Sequence, residues 1–189
     1  FELKNILIFA LVIVFSLLGN FFTFYSIKGE KINNLVPAKI LEPLFTILLA
    51  IAFSFVFGEI LYGRNFNIII PAIIASLALV FSHIEKHHLK FNKYFLAAIA
   101  GSFFFALELV ISRLILEFYS PITFYFLRCS IILLISFLAF SSELKSVKKI
   151  PYIVLLTGVM WVVYRFVVYY GYLNYGIVFT TLIITLGPV

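Results

Sequence analysis

Residues 6–27 have the sequence ILIFALVIVFSLLGNFFTFYSI, a run that contains no charged side chain. An α-helix rises about 1.5 Å per residue, so a run of this length can cross a hydrocarbon core of roughly 30 Å. It is too long for the apolar core of a signal peptide, and another apolar run follows it at once. Transmembrane β-strands are excluded because they alternate apolar and polar residues. This run therefore predicts a transmembrane helix.

The composition of the whole chain agrees with that prediction. Hydrophobic residues make up 64% of the 189 residues and charged residues 12%, against roughly 45–50% and 25% in soluble domains. A soluble fold of this size has too little interior to hide so much apolar surface. The 24 Phe and 11 Tyr residues also exclude a disordered chain. We expect a multi-pass protein of the cell membrane, with the lipid bilayer as its solvent.

Short polar links divide the chain into seven predicted helices, an all-α transmembrane bundle. The predicted helices are 6–27, 33–57, 66–84, 94–117, 121–141, 150–172 and 176–189. The first six are long enough to span a bilayer, whereas the last, of about 14 residues, is too short. Because Phe1 is also an unusual first residue, we expect this sequence to be a fragment of a longer protein.

The net charge of +6 does not indicate a nucleic-acid partner, because most basic residues lie in the short links. Eight lysines fall in links on one side of the predicted membrane, and only Lys4 and Arg64 fall on the other. Basic links stay in the cytoplasm, which places residues 28–32, 85–93 and 142–149 inside the cell.

Charged residues also occur within the predicted helices, where each costs about 2.5–3.5 kcal/mol at the bilayer centre. They are Lys39, Glu42, Glu108, Arg113, Arg128 and Arg165. Such groups are expected to face the bundle interior, a water-filled cavity or one another.

Lys39 and Glu42 are three residues apart and share one helix face. Pro43 follows them and removes the hydrogen bond to the carbonyl of Lys39, which predicts a kink. Two interpretations remain open for this turn: a structural ion pair beside a kink, or the lining of a substrate path.

Arg165 lies in a stripe with Trp161, Tyr169 and Tyr172, at helical spacing. Arginine beside aromatic rings suits a planar or anionic ligand. The alternative is that Arg165 pairs with Glu108 or Glu42, and Arg128 could likewise pair with Glu108.

Catalytic and metal-binding patterns are not found. The sequence contains no His-Glu-x-x-His, Gly-x-Ser-x-Gly or phosphate-binding motif. The single Cys129 and the three His residues complete no metal site. We therefore expect a protein that is not an enzyme and that needs no cofactor or metal.

A shift of 145 residues aligns the end of the first helix and the second helix with the sixth and seventh. The matched residues are Phe21 with Phe166, Tyr25 with Tyr170, Ile32 with Ile177, Leu41 with Leu186, and Pro43 with Pro188. The copies lie five helices apart, so they cross the membrane in opposite directions, as the inverted repeats of transporters do. Chance similarity between two apolar hairpins is the alternative.

Residues 41–45, LEPLF, with 57–59, FGE, resemble the "LEP…F…GE" signature of the drug/metabolite transporter superfamily, in its EamA-type branch. Residues 120–123, SPIT, with Arg128, resemble the start of the second helix of a repeat in that family. Residues 169–172, 176–182 and 186–189 resemble its third and fourth helices. Two departures are Gly187 in place of the second signature Glu, and Lys39, which resembles sugar-phosphate and nucleotide-sugar translocators.

The resemblance implies ten helices in two inverted repeats and a secondary transporter or exporter of small metabolites. Residues 1–84 would be the last three helices of one repeat, 85–93 a basic link, and 94–189 the first four helices of the next. The family's usual orientation puts residues 85–93 outside the cell, in conflict with the lysine count, so orientation stays open.

On this hypothesis a small-molecule substrate, anionic or zwitterionic, binds in a central cavity. The lining would comprise Tyr25, Lys39, Glu42, Arg128, Arg165 and Tyr169, beside kinks at Pro43 and Pro188. Glu42 would balance Lys39 or carry a coupled proton. The alternatives are a membrane-embedded enzyme acting on a lipid-like substrate and a seven-helix receptor.

Overall fold

The computed structural model describes residues 3–58, 65–84, 91–144 and 152–186. In these ranges the chain forms eight α-helices and no strand, which confirms the predicted all-α bundle. The helices are α1 (Leu3–Gly29), α2 (Ile32–Lys39), α3 (Leu41–Phe57), α4 (Phe66–Ile84), α5 (Lys93–Ile115), α6 (Pro121–Leu144), α7 (Tyr152–Tyr175) and α8 (Ile177–Leu186). The second predicted helix is thus two helices, α2 and α3.

Five helical spans in the described ranges are long and apolar enough to cross a membrane. They are α1, α2 and α3 taken together, α5, α6 and α7. The helices α4 and α8 are apolar but shorter in the part that is described. The helices therefore indicate a membrane protein, as the composition predicts.

The helix α5 lies at the centre of the bundle, where it packs against α1, α2, α3 and α7. Its contact with α1 is close because small residues meet there: a Cβ atom on Gly101 would lie 3.3 Å from the carbonyl oxygen of Gly19. Close backbone approach through small residues is typical of helix packing in membranes. This contact holds the buried Glu108 of α5 in the bundle interior.

The hydrophobic core lies where α3, α5, α6, α7 and α8 converge. Ile47, Val110, Phe124, Tyr169 and Ile177 are all fully enclosed there. The rings of Phe124 and Tyr169 pack edge to face, with their centroids 5.2 Å apart. These contacts position α7 so that its polar side chains, Arg165 and Tyr169, lie in the bundle interior.

The break between α2 and α3 falls at Ile40. Pro43 has no N–H to donate to the carbonyl of Lys39, so the helical hydrogen-bond ladder is interrupted in this turn, although Ile40 itself keeps helical dihedral angles (φ −66°, ψ −17°). The hydroxyl of Ser102 on α5 donates a hydrogen bond of 3.0 Å to the carbonyl of Ala38, which anchors the end of α2. The sequence predicts a kink at Pro43, and the boundary between α2 and α3 falls three residues before it, whereas Pro188 lies outside the described residues.

One residue, Gly176, connects α7 to α8. Its φ angle is +83°, in the left-handed region that glycine adopts at no steric cost. The chain therefore reverses at once, and α8 returns against α7, α3 and α4.

Candidate functional site

Three charged side chains and one tyrosine form a buried cluster. They are Glu108, Arg128, Arg165 and Tyr169. Glu108 Oε2 lies 3.2 Å from Arg128 Nη2 and 4.0 Å from Arg165 Nη1. Its Oε1 accepts hydrogen bonds from the hydroxyls of Tyr169, at 2.9 Å, and Ser112, at 3.2 Å. One carboxylate on α5 therefore joins side chains of α6 and α7.

Arg128 is the more firmly held of the two arginines. Its Nη2 also donates a hydrogen bond of 2.6 Å to the hydroxyl of Ser16 on α1. Its guanidinium lies 5.8 Å from the ring centroid of Tyr125. The contacts of Arg128 with Ser16 and Glu108 therefore connect α6 to α1 and α5. Breaking the buried ion pair would be costly because it would leave an uncompensated charge.

Arg165 is held loosely by comparison. Its side chain is 4% exposed, yet it donates no hydrogen bond within the described ranges. Its contacts are the 4.0 Å ion pair to Glu108 and the ring of Trp161, whose centroid is 5.2 Å away. Since a guanidinium carries five N–H donors, Arg165 retains capacity to bind an acceptor.

A cavity of about 380 Å³ lies between the break at Ile40 and the helices α7 and α8; we name it the central cavity. Its polar and aromatic lining includes Lys39, Glu42, Trp161, Tyr164, Arg165 and Tyr172. The volume is in the range of pockets that hold small molecules.

The carboxylate of Glu42 takes part in no ion pair or side-chain hydrogen bond among the described residues. The charges that act on it are the positive Arg165 and Lys39 and the negative Glu108. The central cavity therefore presents an unengaged carboxylate beside two cationic groups.

A second cavity, of about 400 Å³, lies between α1, α6 and α7, and we name it the lateral cleft. Arg128 and Arg165 both line it, together with Ser16, Asn20 and Cys129. Trp161 and Arg165 line the central cavity as well, so the two spaces adjoin at these side chains.

The structure brings three of the predicted site residues to the central cavity, namely Lys39, Glu42 and Arg165. Arg128 pairs with Glu108, which is the alternative that the sequence left open, and faces the lateral cleft instead. Tyr169 turns its hydroxyl to Glu108 and lines neither space.

Tyr25 does not join the other predicted residues, and the expectation that it lines their cavity is corrected. It is 40% exposed and its ring packs 5.5 Å from that of Tyr94. The physical reason is packing: α1 contributes no residue to the lining of the central cavity, and near its end Tyr25 packs against Tyr94 at the start of α5.

Sequence reasoning missed the role of Ser16 as a partner of Arg128. Serine is common in membrane helices, so its position on α1 carries no signal of its own. In the described part of the chain, no group of three His, Cys, Asp or Glu side chains could hold a metal ion.

Comparison with protein-family models, with curated proteins and with solved structures finds no match to this chain.

Proposed function

We propose that this chain belongs to a multi-pass carrier of the cell membrane, similar to the drug/metabolite transporters, that moves a small metabolite by alternating access. The observation that carries the proposal is the helix break at Ile40, which brings Lys39 and Glu42 to a cavity shared with Arg165. Secondary transporters bind substrate at such broken helices, near the middle of the membrane.

The broken helix fits this role for a physical reason. A backbone carbonyl that loses its helical partner at membrane depth, as that of Lys39 does before Pro43, is tolerated only where it is buried in protein or lines a water-filled space. The break at Ile40 meets that condition because Val36, Ile40 and Pro43 themselves line the central cavity.

The charges of the central cavity favour an anionic or zwitterionic substrate. Lys39 and Arg165 would hold a carboxylate or phosphate group, and Glu42 would hold an ammonium group or carry a coupled proton. The exposed rings of Trp161 and Tyr164 would cover the apolar part of the substrate.

Inverted repeats would supply the rocking motion of the carrier, and the helix bounds support them. α2 begins at Ile32 and α8 at Ile177, which differ by the 145-residue shift of the sequence repeat. Each follows its preceding helix after a link of at most two residues. Two such units related by inversion could expose the cavity to each side in turn.

The test is substrate counterflow with the full-length protein in proteoliposomes. Lys39→Ala is expected to abolish counterflow while the protein remains folded by circular dichroism. Lys31→Ala is the matched control, since Lys31 is an exposed lysine outside the central cavity. Full counterflow in the folded Lys39→Ala variant would overturn the assignment of this cavity.

A further inference from the structure

We propose that the lateral cleft is a second binding site, for a small soluble oxyanion that carries a carboxylate or phosphate group, held between Arg128 and Arg165. This site is distinct from the central cavity. It does not depend on transport, because anion binding in the cleft can be measured by itself.

The charge balance of the buried cluster is the first argument. Arg128 is 5% exposed, Arg165 is 4% exposed and Glu108 is fully enclosed. Glu108 is the only carboxylate paired with either arginine in the described part of the chain, while Glu42, whose charge also acts on Arg165, has Lys39 as a further positive neighbour. Three positive groups thus face two carboxylates, which leaves one positive charge in excess. Burying a charge is costly unless it is paired, so the cluster favours a further anion.

The second argument is that several N–H donors of the two arginines have no acceptor among the described residues. Arg128 uses only its Nη2, on Ser16 and Glu108, and Arg165 donates no hydrogen bond in the described part of the chain. The Nε atoms of both are enclosed and lack partners, which leaves the Nη groups to reach the cleft. Carboxylate and phosphate oxygens accept paired N–H bonds from guanidinium groups.

The lining of the cleft selects an anion over a cation. Its polar residues are Arg128, Arg165, Ser16, Asn20, Tyr125, Cys129, Ser136 and Trp161, with no carboxylate among them. The central cavity, in contrast, contains Glu42. An anion in the cleft therefore meets two guanidinium groups and hydrogen-bond donors, while Glu108, the carboxylate that pairs with both arginines, lies behind them and does not line the cleft.

The depth of the cleft favours a soluble anion over a lipid headgroup. Arg128 follows the start of α6 at Pro121 by seven residues, which is about 10 Å along a helix. Headgroups lie outside the hydrocarbon core. The cleft also adjoins the central cavity at Trp161 and Arg165, which gives it a polar neighbour.

Cys129, the sole cysteine of the sequence, lines the cleft and provides a reporter. The full-length protein in detergent is treated with an anionic or a cationic methanethiosulfonate reagent, and modification of the Cys129 peptide is followed by mass spectrometry. Because the same thiolate attacks the sulfur of either reagent and displaces methanesulfinate, the ratio of the two rates reports the local electrostatic potential. We expect the anionic reagent to react about tenfold faster, as positive clefts concentrate anions.

Protection by the ligand is the second measurement. Inorganic phosphate or acetate is expected to slow modification by both reagents severalfold. In a control with Cys129→Ser and Thr123→Cys, the thiol lies near the exposed start of α6, and neither the preference nor the protection is expected. Arg165→Gln, which retains the pair between Arg128 and Glu108, is expected to lower both effects.

Additional variants and ligands distinguish the lateral cleft from the central cavity and from a lipid-binding site. Lys39→Ala is expected to retain protection by phosphate; loss of protection in that variant would place the anion in the central cavity and overturn the proposal. Equal rates for the two reagents, or no protection by phosphate and acetate, would also overturn it. Protection by phosphatidic acid vesicles alone would reject a small soluble ligand.

Discussion

Arg128 on α6 and Glu108 on α5 form an ion pair of 3.2 Å between a fully enclosed carboxylate and a guanidinium that borders the lateral cleft. The same carboxylate accepts a hydrogen bond from the hydroxyl of Tyr169 and lies 4.0 Å from Arg165. Side chains of α5, α6 and α7 therefore meet at one acidic group. The carboxylate lies nearer to Arg128 than to Arg165, at 3.2 Å against 4.0 Å, and the guanidinium of Arg165 keeps hydrogen-bond donors that no described residue uses.

Glu108→Gln is expected to destabilise the protein by about 3–5 kcal/mol, because it leaves two buried arginines without their counter-charge. Unfolding in mixed detergent–SDS micelles measures the loss. The control is Glu117→Gln, since Glu117 pairs with Arg113 at 3.6 Å and is itself 42% exposed. That change leaves one buried arginine, Arg113, without its partner instead of two and removes a carboxylate that water already solvates, so it should cost clearly less than Glu108→Gln. Equal losses would contradict the central role of Glu108.

Tyr169→Phe is expected to cost about 1.5–3 kcal/mol, the value of a hydrogen bond to a charged group. The hydroxyl it removes donates to Glu108 Oε1 at 2.9 Å. Tyr170→Phe on the exposed face of the same helix is the matched control and should leave the unfolding free energy almost unchanged. If both variants unfold alike, the hydrogen bond contributes nothing to stability.

Gly101→Val is expected to destabilise the bundle by about 1–3 kcal/mol through overpacking. Even a Cβ at Gly101 would lie 2.9 Å from Thr23 Oγ1 and 3.3 Å from the Gly19 carbonyl oxygen. Gly158→Val is the control, because a Cβ on Gly158 meets nothing within 4 Å. Its effect should stay near 0.5 kcal/mol or below, apart from helix propensity. A tolerated Gly101→Val would contradict the close α1–α5 contact.

Pro43→Ala is expected to reduce counterflow severalfold without loss of stability. Alanine restores the N–H that can bond to the carbonyl of Lys39, so α2 and α3 can merge and move Lys39 and Glu42 relative to Arg165. Pro71→Ala is the control: Pro71 lies inside α4 and outside the central cavity. That variant should transport normally. Normal counterflow in Pro43→Ala would show that the break serves no function.

The helices could be predicted from the sequence because apolar runs in a membrane protein directly mark spans, as residues 6–27 and α1 illustrate. Lys39, Glu42 and Arg165 were identifiable for a related reason, since a charge at membrane depth must be accommodated. Which arginine forms the shorter ion pair with Glu108 was not predictable, because that depends on how α5, α6 and α7 pack. Tyr25 was misplaced for the same reason: its face of α1 is fixed only by packing.

The central claim is that the cavity at the Ile40 break binds the substrate of a carrier. A thermal-shift screen of the full-length protein in detergent tests it most directly, with amino acids, sugar phosphates, nucleotide sugars, amines and lipophilic cations as ligands. A ligand of the folded state raises the apparent melting temperature by mass action. We predict a rise with one anionic or zwitterionic class that is lost in both Lys39→Ala and Arg165→Gln. A rise only with cations, or one that persists in both variants, would contradict the account.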